Sequence, residues 1–342
     1  MGARTTSPNE QGELDELYAA LVRMGLIEEG ERPRLTPLTG GVSSDIVRVD
    51  VATGSICLKR ALPQLRVAAT WYAPVERNSF EVEWIRVAAG IVPQAVPSLV
   101  GVDTQVGLFA MTYLDPHTYP VWKEQLRDGV IHPETAQAVA ACLVQIHAGT
   151  AHNDDVANRF ATDHIFYSIR IEPYLLATAQ VHPECADRLR LLADRTAATK
   201  CALVHGDVSP KNILVGPQGP LLLDAECAWY GDPAFDVAFC LNHLLLKCVW
   251  RPEWSEQYMQ CFEVFTQTYA QAVSWEPWAA FERRVAHLLP GLLLGRIDGK
   301  SPVEYLTVEA DRAQVRRVAI SLLQQPVETL VDLLHVWQKE TR

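Results

Sequence analysis

The sequence predicts an α+β fold, with a small N-terminal part built on a sheet and one main helix and a larger, mainly helical C-terminal part. Three observations predict it. Hydrophobic periodicity switches once along the 342 residues, from β-like runs around a single helix to a long series of helical patterns. Two polar clusters, His205-Gly206-Asp207 and Asp224-Ala225-Glu226, each stand between short apolar, β-rich stretches. A composition of 49% hydrophobic and 21% charged residues is that of a globular chain with a substantial core.

Residues 1–11 (MGARTTSPNEQ) read as a loose tail, and residues 12–27 as a helix. In LTPLTGGVSSDIVRVDV two apolar segments are joined by Gly40-Gly41 and the pair Ser43-Ser44. A glycine-containing turn of this kind can bring backbone N–H groups over phosphates. SICLKRAL is an alternating strand with Lys59 at its end. VERNSFEVEWIRVAAG predicts a helix over 75–89, with Val82, Ile85 and Ala89 facing the core. Residues 97–113 return to β-like runs. The boundary is expected near MTYLD, 111–115, dividing an N-terminal part, 12–112, from a C-terminal part, 113–342. Beyond 118 helical patterns dominate: HPETAQAVAACLVQIHAG, IFYSIRIEPYLLATAQ, CADRLRLLADRTAAT, and four more segments after the polar clusters.

The polar clusters carry the chemistry. LVHGDVSPKNILV and GPLLLDAEC place Asp207, Asn212, Asp224 and Glu226 on loops at strand ends, where side chains converge on one point. Asp207 can accept a hydrogen bond from an attacking hydroxyl and take its proton. Asn212 offers an amide oxygen, and Asp224 and Glu226 anionic oxygens, the ligand class Mg²⁺ prefers. Phosphoryl transfer asks for such a set, because the protein supplies mainly positioning and charge.

HGDVSPKNILV and LLLDAECAWYGDPAFDVAFC resemble the catalytic and metal-binding segments of the aminoglycoside phosphotransferase and choline kinase superfamily. The resemblance implies a two-lobed protein-kinase-like fold and an enzyme that uses ATP and Mg²⁺. It makes Asp207 the catalytic aspartate, Asn212 and Asp224 metal ligands with Glu226 beside them, and Asp236 the brace of the catalytic loop, with His205 as structural support. Gly40, Gly41, Ser43, Ser44 and the 111–115 hinge at Tyr113 would contact nucleotide. Lys59 would hold its α- and β-phosphates and pair with a helix glutamate, Glu81, with Glu83 the alternative. His147 reads as structural.

Local motifs are most similar to the methylthioribose kinase branch: CLKRALPQLRVAATWYAPVERNSFEVE resembles its lysine strand, tryptophan-bearing loop and glutamate helix, and residues 224–236 its metal loop. Trp71, Lys211 and Arg296 are thereby candidate acceptor contacts. The branch typically has serine at the Asn212 position, and two consecutive arginines where this chain has Arg296-Ile297, so a related hydroxylated compound is expected. GRIDGKSP predicts a turn-rich break carrying Arg296.

Between 240 and 300 six acidic residues balance six basic ones. A polycationic aminoglycoside would need an excess of carboxylates, so the expected acceptor is neutral or mildly anionic, pentose-like, or an amino alcohol. Aminoglycoside O-phosphotransferase is the alternative, as is a kinase-fold binding or regulatory protein. Trp250, Trp254, Trp275 and Trp278 could stack on a sugar face or enclose a quaternary ammonium, or pack among helices. A formal charge of −11 argues against nucleic acid or anionic membrane as partner. Eight cysteines, none in a C-x-x-C pair, read as reduced core residues of a cytoplasmic protein without a zinc site. No apolar stretch reaches a membrane-spanning length.

Overall fold

The computed structural model describes residues 8–38, 43–64 and 73–341, with side chains described from residue 12. Gly40, Gly41 and Trp71 lie outside the described residues. The chain divides into two compact units, residues 1–86 with 97–114 and residues 87–96 with 115–342.

The first unit is an antiparallel sheet of β1 (Arg34–Pro37), β2 (Ser44–Val51), β3 (Gly54–Ala61), β4 (Leu99–Asp103) and β5 (Leu108–Thr112), in the order β1-β2-β3-β5-β4. Helix α1 runs over Pro8–Arg23, so helix begins four residues earlier than the sequence pattern predicts. Leu21 at its end joins Val49, Ile56, Leu58, Leu108 and Ala110 in one apolar cluster. Side chains alternate across a strand, so Cys57 and Lys59 take the other face of β3. Helix α2 (Arg77–Ile91) starts in this unit and buries Val82, Trp84, Ile85 and Ala88. The core-facing row thus continues on Ala88, three residues after Ile85, and not on Ala89, which is only half-buried.

The second unit is mainly helical. It contains α3 (Trp122–Arg127), α4 (Pro133–Thr150), α5 (Asp154–Arg159), α6 (Asp163–Phe166), α7 (Ala177–Val181) and α8 (Ala186–Ala198). Two small antiparallel pairs follow, β6 (Ala202–Val204) with β9 (Trp229–Gly231), and β7 (Ile213–Gly216) with β8 (Gly219–Leu222). The chain ends in α9 (Ala234–Trp250), α10 (Ser255–Ala272), α11 (Trp278–Asp298), α12 (Glu309–Gln324) and α13 (Leu330–Thr341). These are five helices, one more than the pattern predicts; Pro326 follows the end of α12, where it cannot continue the helix, and α13 starts afresh. Helix α9 is buried from Ala234 to Val249, flanked by α10 and α11, which its apolar sequence all round requires.

The segment IFYSIRIEPYLL is not a plain α-helix. Tyr167–Leu176 winds as a π-type helix around Pro173, whose missing N–H breaks the regular ladder. All eight cysteines are buried and unpaired. Among the described residues no helix is long and apolar enough to cross a membrane.

Candidate active site

In the first unit β3 presents Lys59 to α2. Lys59 Nζ donates to Glu81 Oε1 at 2.7 Å, and both side chains are 3% exposed. Glu83, two residues on, is on the outer side of the helix and pairs with Arg86. Ser43 and Ser44 are buried at the entry to β2. The Ser43 carbonyl accepts from Arg77 Nη2 at 2.7 Å, and the same nitrogen donates to the Leu62 carbonyl. Arg77 is fully buried and also donates to the carbonyls of Ala73 and Pro74, so one guanidinium ties together the segments that flank β2, β3 and α2. Tyr113, just past β5, packs under the Arg48 guanidinium at 4.6 Å.

In the second unit the turn after β6 carries the HGD cluster. Gly206 has φ +80°, and a Cβ there would lie 2.8 Å from the Cys227 carbonyl oxygen, so only glycine fits. Asp236, at the start of α9, takes the Gly206 N–H on Oδ1 at 2.8 Å and the His205 N–H on Oδ2 at 2.7 Å. His147 Nε2 stands 3.2 Å from the same Oδ2, and its Nδ1 lies 2.6 Å from the Tyr269 hydroxyl. The His205 ring joins the two polar clusters: Nδ1 accepts from the Asp207 N–H at 3.1 Å, which leaves Nε2 to donate to the Leu223 carbonyl. Burial holds this ring below the usual histidine range, in keeping with a neutral imidazole. The Leu223 N–H in turn donates to the Asn212 carbonyl at 2.9 Å. Leu223 precedes Asp224, which sits at φ +67°, a conformation aspartate tolerates better than most residues and one that cross-links on its neighbour would sustain.

Asp207 is 5% exposed. Its Oδ2 lies 2.9 Å from Arg170 Nη2 and 3.3 Å from Lys211 Nζ. Burial would raise its pKa, but Lys211 and Arg170 outweigh burial and hold the carboxyl well below the usual carboxylate range. Both cations address Oδ2. Asn212 donates its amide nitrogen to the Asp207 carbonyl at 3.1 Å, which turns the amide oxygen the other way.

Asn212, Asp224 and Glu226 offer oxygen donors only, the hard set that suits Mg²⁺. Among the described residues no three His, Cys, Asp or Glu side chains cluster as a metal cage.

Arg296 corrects one expectation. It is in the last turn of α11, ahead of the turn that begins at Gly299, and it is 8% exposed. Gly295 allows α11 to approach the Tyr174 carbonyl, where a Cβ would come within 2.4 Å. Arg296 Nη1 then reaches the Tyr174 hydroxyl at 3.2 Å and the Ser301 side chain at 3.0 Å. The four tryptophans pack among helices: Trp275 edge-on to His147, Tyr269 and Phe281, Trp278 on Phe281, Trp250 on Tyr305, and Trp254 against Gly129. Sequence reasoning missed Arg77 and Arg170. It also missed His243 and Lys247, although two ionisable residues four apart on a mainly apolar helix were a visible signal.

Solved structures with this α+β, protein-kinase-like fold include a choline/ethanolamine kinase family protein from Mesorhizobium loti, with a TM-score of 0.54 and 15% identity over 94% of this chain and 99% of that one. An ethanolamine kinase from Plasmodium vivax gives 0.57 and 12%, over 98% and 92%. The chain belongs to the phosphotransferase enzyme family, whose model matches residues 34–275. Methylthioribose kinase 1 of Oryza sativa subsp. japonica is 26% identical over 228 residues, which cover 56% of this chain and 51% of that protein. The methylthioribose kinase of Escherichia coli is 26% identical over 260 residues, covering 64% and 62%. The chain therefore spans between about half and three fifths of the length of these curated relatives.

Proposed function

We propose that this protein is an ATP- and Mg²⁺-dependent small-molecule kinase that phosphorylates a hydroxyl group of a sugar-like acceptor. The observation that carries the reading is the buried Asp207, set on a turn braced by Asp236 and cross-linked through His205 and Leu223 to the loop of Asp224 and Glu226. Family membership and the methylthioribose kinase relatives support it.

In this mechanism Asp207 stays ionised across the working pH range, held so by Arg170 and Lys211. Its Oδ1 accepts the acceptor's O–H, orients the oxygen, and takes the proton as the new P–O bond forms. Asn212, Asp224 and Glu226 would hold Mg²⁺, which supplies charge neutralisation at the phosphates when bound. Lys59, fixed by Glu81, would contact phosphate oxygens.

The test is ADP release by purified protein with Mg·ATP and a panel of sugars, amino alcohols and aminoglycosides. Asp207→Asn should lower kcat by about 10²–10⁴ with nucleotide binding retained. Undiminished turnover in that variant would remove Asp207 from the mechanism.

A further inference from the structure

Beside the catalytic turn, wholly within the second unit, lies a small, partly open pocket lined by Lys123, Pro210, Lys211, His243, Lys247, Arg296, Glu304 and Tyr305. Its charge is one-sided: four cationic side chains face one carboxylate, and that carboxylate, Glu304, is already paired with Lys123. Lys211 belongs to both places, since its Nζ is 3.3 Å from Asp207 Oδ2.

The remaining polar groups are poorly satisfied by the protein itself. Lys247 is 1% exposed and makes no ion pair with a carboxylate among the described residues. Its ammonium rests over the rings of Tyr305 at 4.5 Å and Trp250 at 5.3 Å. His243, one turn earlier on the same face of α9, is buried with Nε2 unpartnered, and its Nδ1 has only a long contact of 3.5 Å with the Tyr305 hydroxyl. Arg296 is buried with Nε unpartnered. Buried donors without acceptors are costly, and a pocket that gathers them beside lysine and arginine side chains suits an anion.

We propose that the acceptor carries an anionic group, a carboxylate or a phosphate, which occupies this cavity and is held by Lys211, Lys247, His243 and Arg296. The proposal rests on the kinase reading and narrows it: the acceptor is a small hydroxy acid or a sugar phosphate. Its hydroxyl points to Asp207 Oδ1 while its anionic end sits against α9 and α11. An amino alcohol or aminoglycoside would bring like charge to the same donors.

The experiment compares matched pairs: glycerate with glycerol, and ribose 5-phosphate with ribose, with choline as the cationic control. Binding is read by calorimetry without nucleotide, and turnover by ADP release with Mg·ATP. The anionic member of at least one pair should bind and turn over about tenfold or more better than its neutral partner, and Lys247→Met should lower its affinity and raise its KM by roughly that factor. Which pair responds distinguishes carboxylate from phosphate. His243→Gln, with folding checked by its melting curve, should weaken anion binding in the same sense. Equal binding of charged and neutral partners, or preference for choline, overturns the proposal. Lys247-dependent anion binding without ADP release from any compound would sink the kinase reading and leave the anion site standing.

Discussion

Arg170 Nη2 lies 2.9 Å from Asp207 Oδ2, a buried ion pair formed from a π-type turn 37 residues before Asp207. Arg170 also donates to the carbonyls of Gly206 and Ile169, so it holds the loop's backbone as well as its carboxylate. Arg170→Met should lower kcat by about 10- to 100-fold, since misplacing the catalytic oxygen is costly even when chemistry is intact. Arg170→Lys should recover part of the loss, because charge returns without the planar fork. Steady-state kinetics beside a thermal melt checks this. A lower Tm with unchanged kcat per folded molecule would make Arg170 a brace of the fold alone.

Asp236 accepts the N–H groups of both His205 and Gly206 on its two oxygens. Asp236→Asn must turn an amide N–H toward one of these donors. We expect a stability loss of about 1–3 kcal/mol by chemical denaturation, the usual result of leaving a buried group unsatisfied. A fall in kcat should accompany it at temperatures where the variant remains folded. Full activity in the folded variant would show that the loop is placed without this brace.

Lys59 and Glu81 form a buried pair, whereas Glu83 is part-exposed and bound to Arg86. Lys59→Met should raise the KM for ATP and reduce kcat, and Glu81→Gln should do so less severely. Glu83→Gln should change neither. In a double-mutant cycle Lys59 and Glu81 should couple by about 0.5–3 kcal/mol, as contacting residues do. Additive effects would mean that the two act independently.

How much of this was legible in the sequence depended on whether a side chain's setting is local. Lys59 ends an alternating strand that periodicity exposes, but its pairing with a glutamate of the next helix, Glu81 or Glu83, came from the family resemblance, and the structure joins it to Glu81. The α+β class followed from the single change of period. Arg170 was hidden because IFYSIRIEPYLL reads as an ordinary helix, and only the π-type winding around Pro173 aims its guanidinium at Gly206 and Asp207. Arg296 was selected from a turn-rich string, yet the helix runs through Asp298 because Gly295 packs against the Tyr174 backbone, a long-range contact. The charge count over 240–300 could not show how the charges are distributed in space. It weighed exposed Glu253 equally with buried Lys247, and a cavity senses only the groups that line it.

Lys247 gives the cavity a pH signature. Burial lowers its pKa to about 7, with Lys123 acting in the same direction and Glu304 against them. The other charged or titratable groups lining its cavity are Lys211, His243, Arg296 and Tyr305. In the unfolded chain this lysine titrates near its ordinary value of 10.5. Below about pH 7 it is protonated in both states, and the full cost of burying the charge weighs on the fold. Between about 7 and 10.5 the unfolded chain binds more protons than the folded one, so that cost fades as pH rises. Lys247→Met removes the cost altogether. Its Tm should therefore exceed that of the parent at pH 7, in buffer without small anions, and the difference should shrink steadily toward pH 10. Melting curves across that range, with the bound anion left out, decide the matter. A gain that is constant with pH would mean that Lys247 is not destabilised by burial, and a loss at pH 7 would mean that its stem packing outweighs its charge.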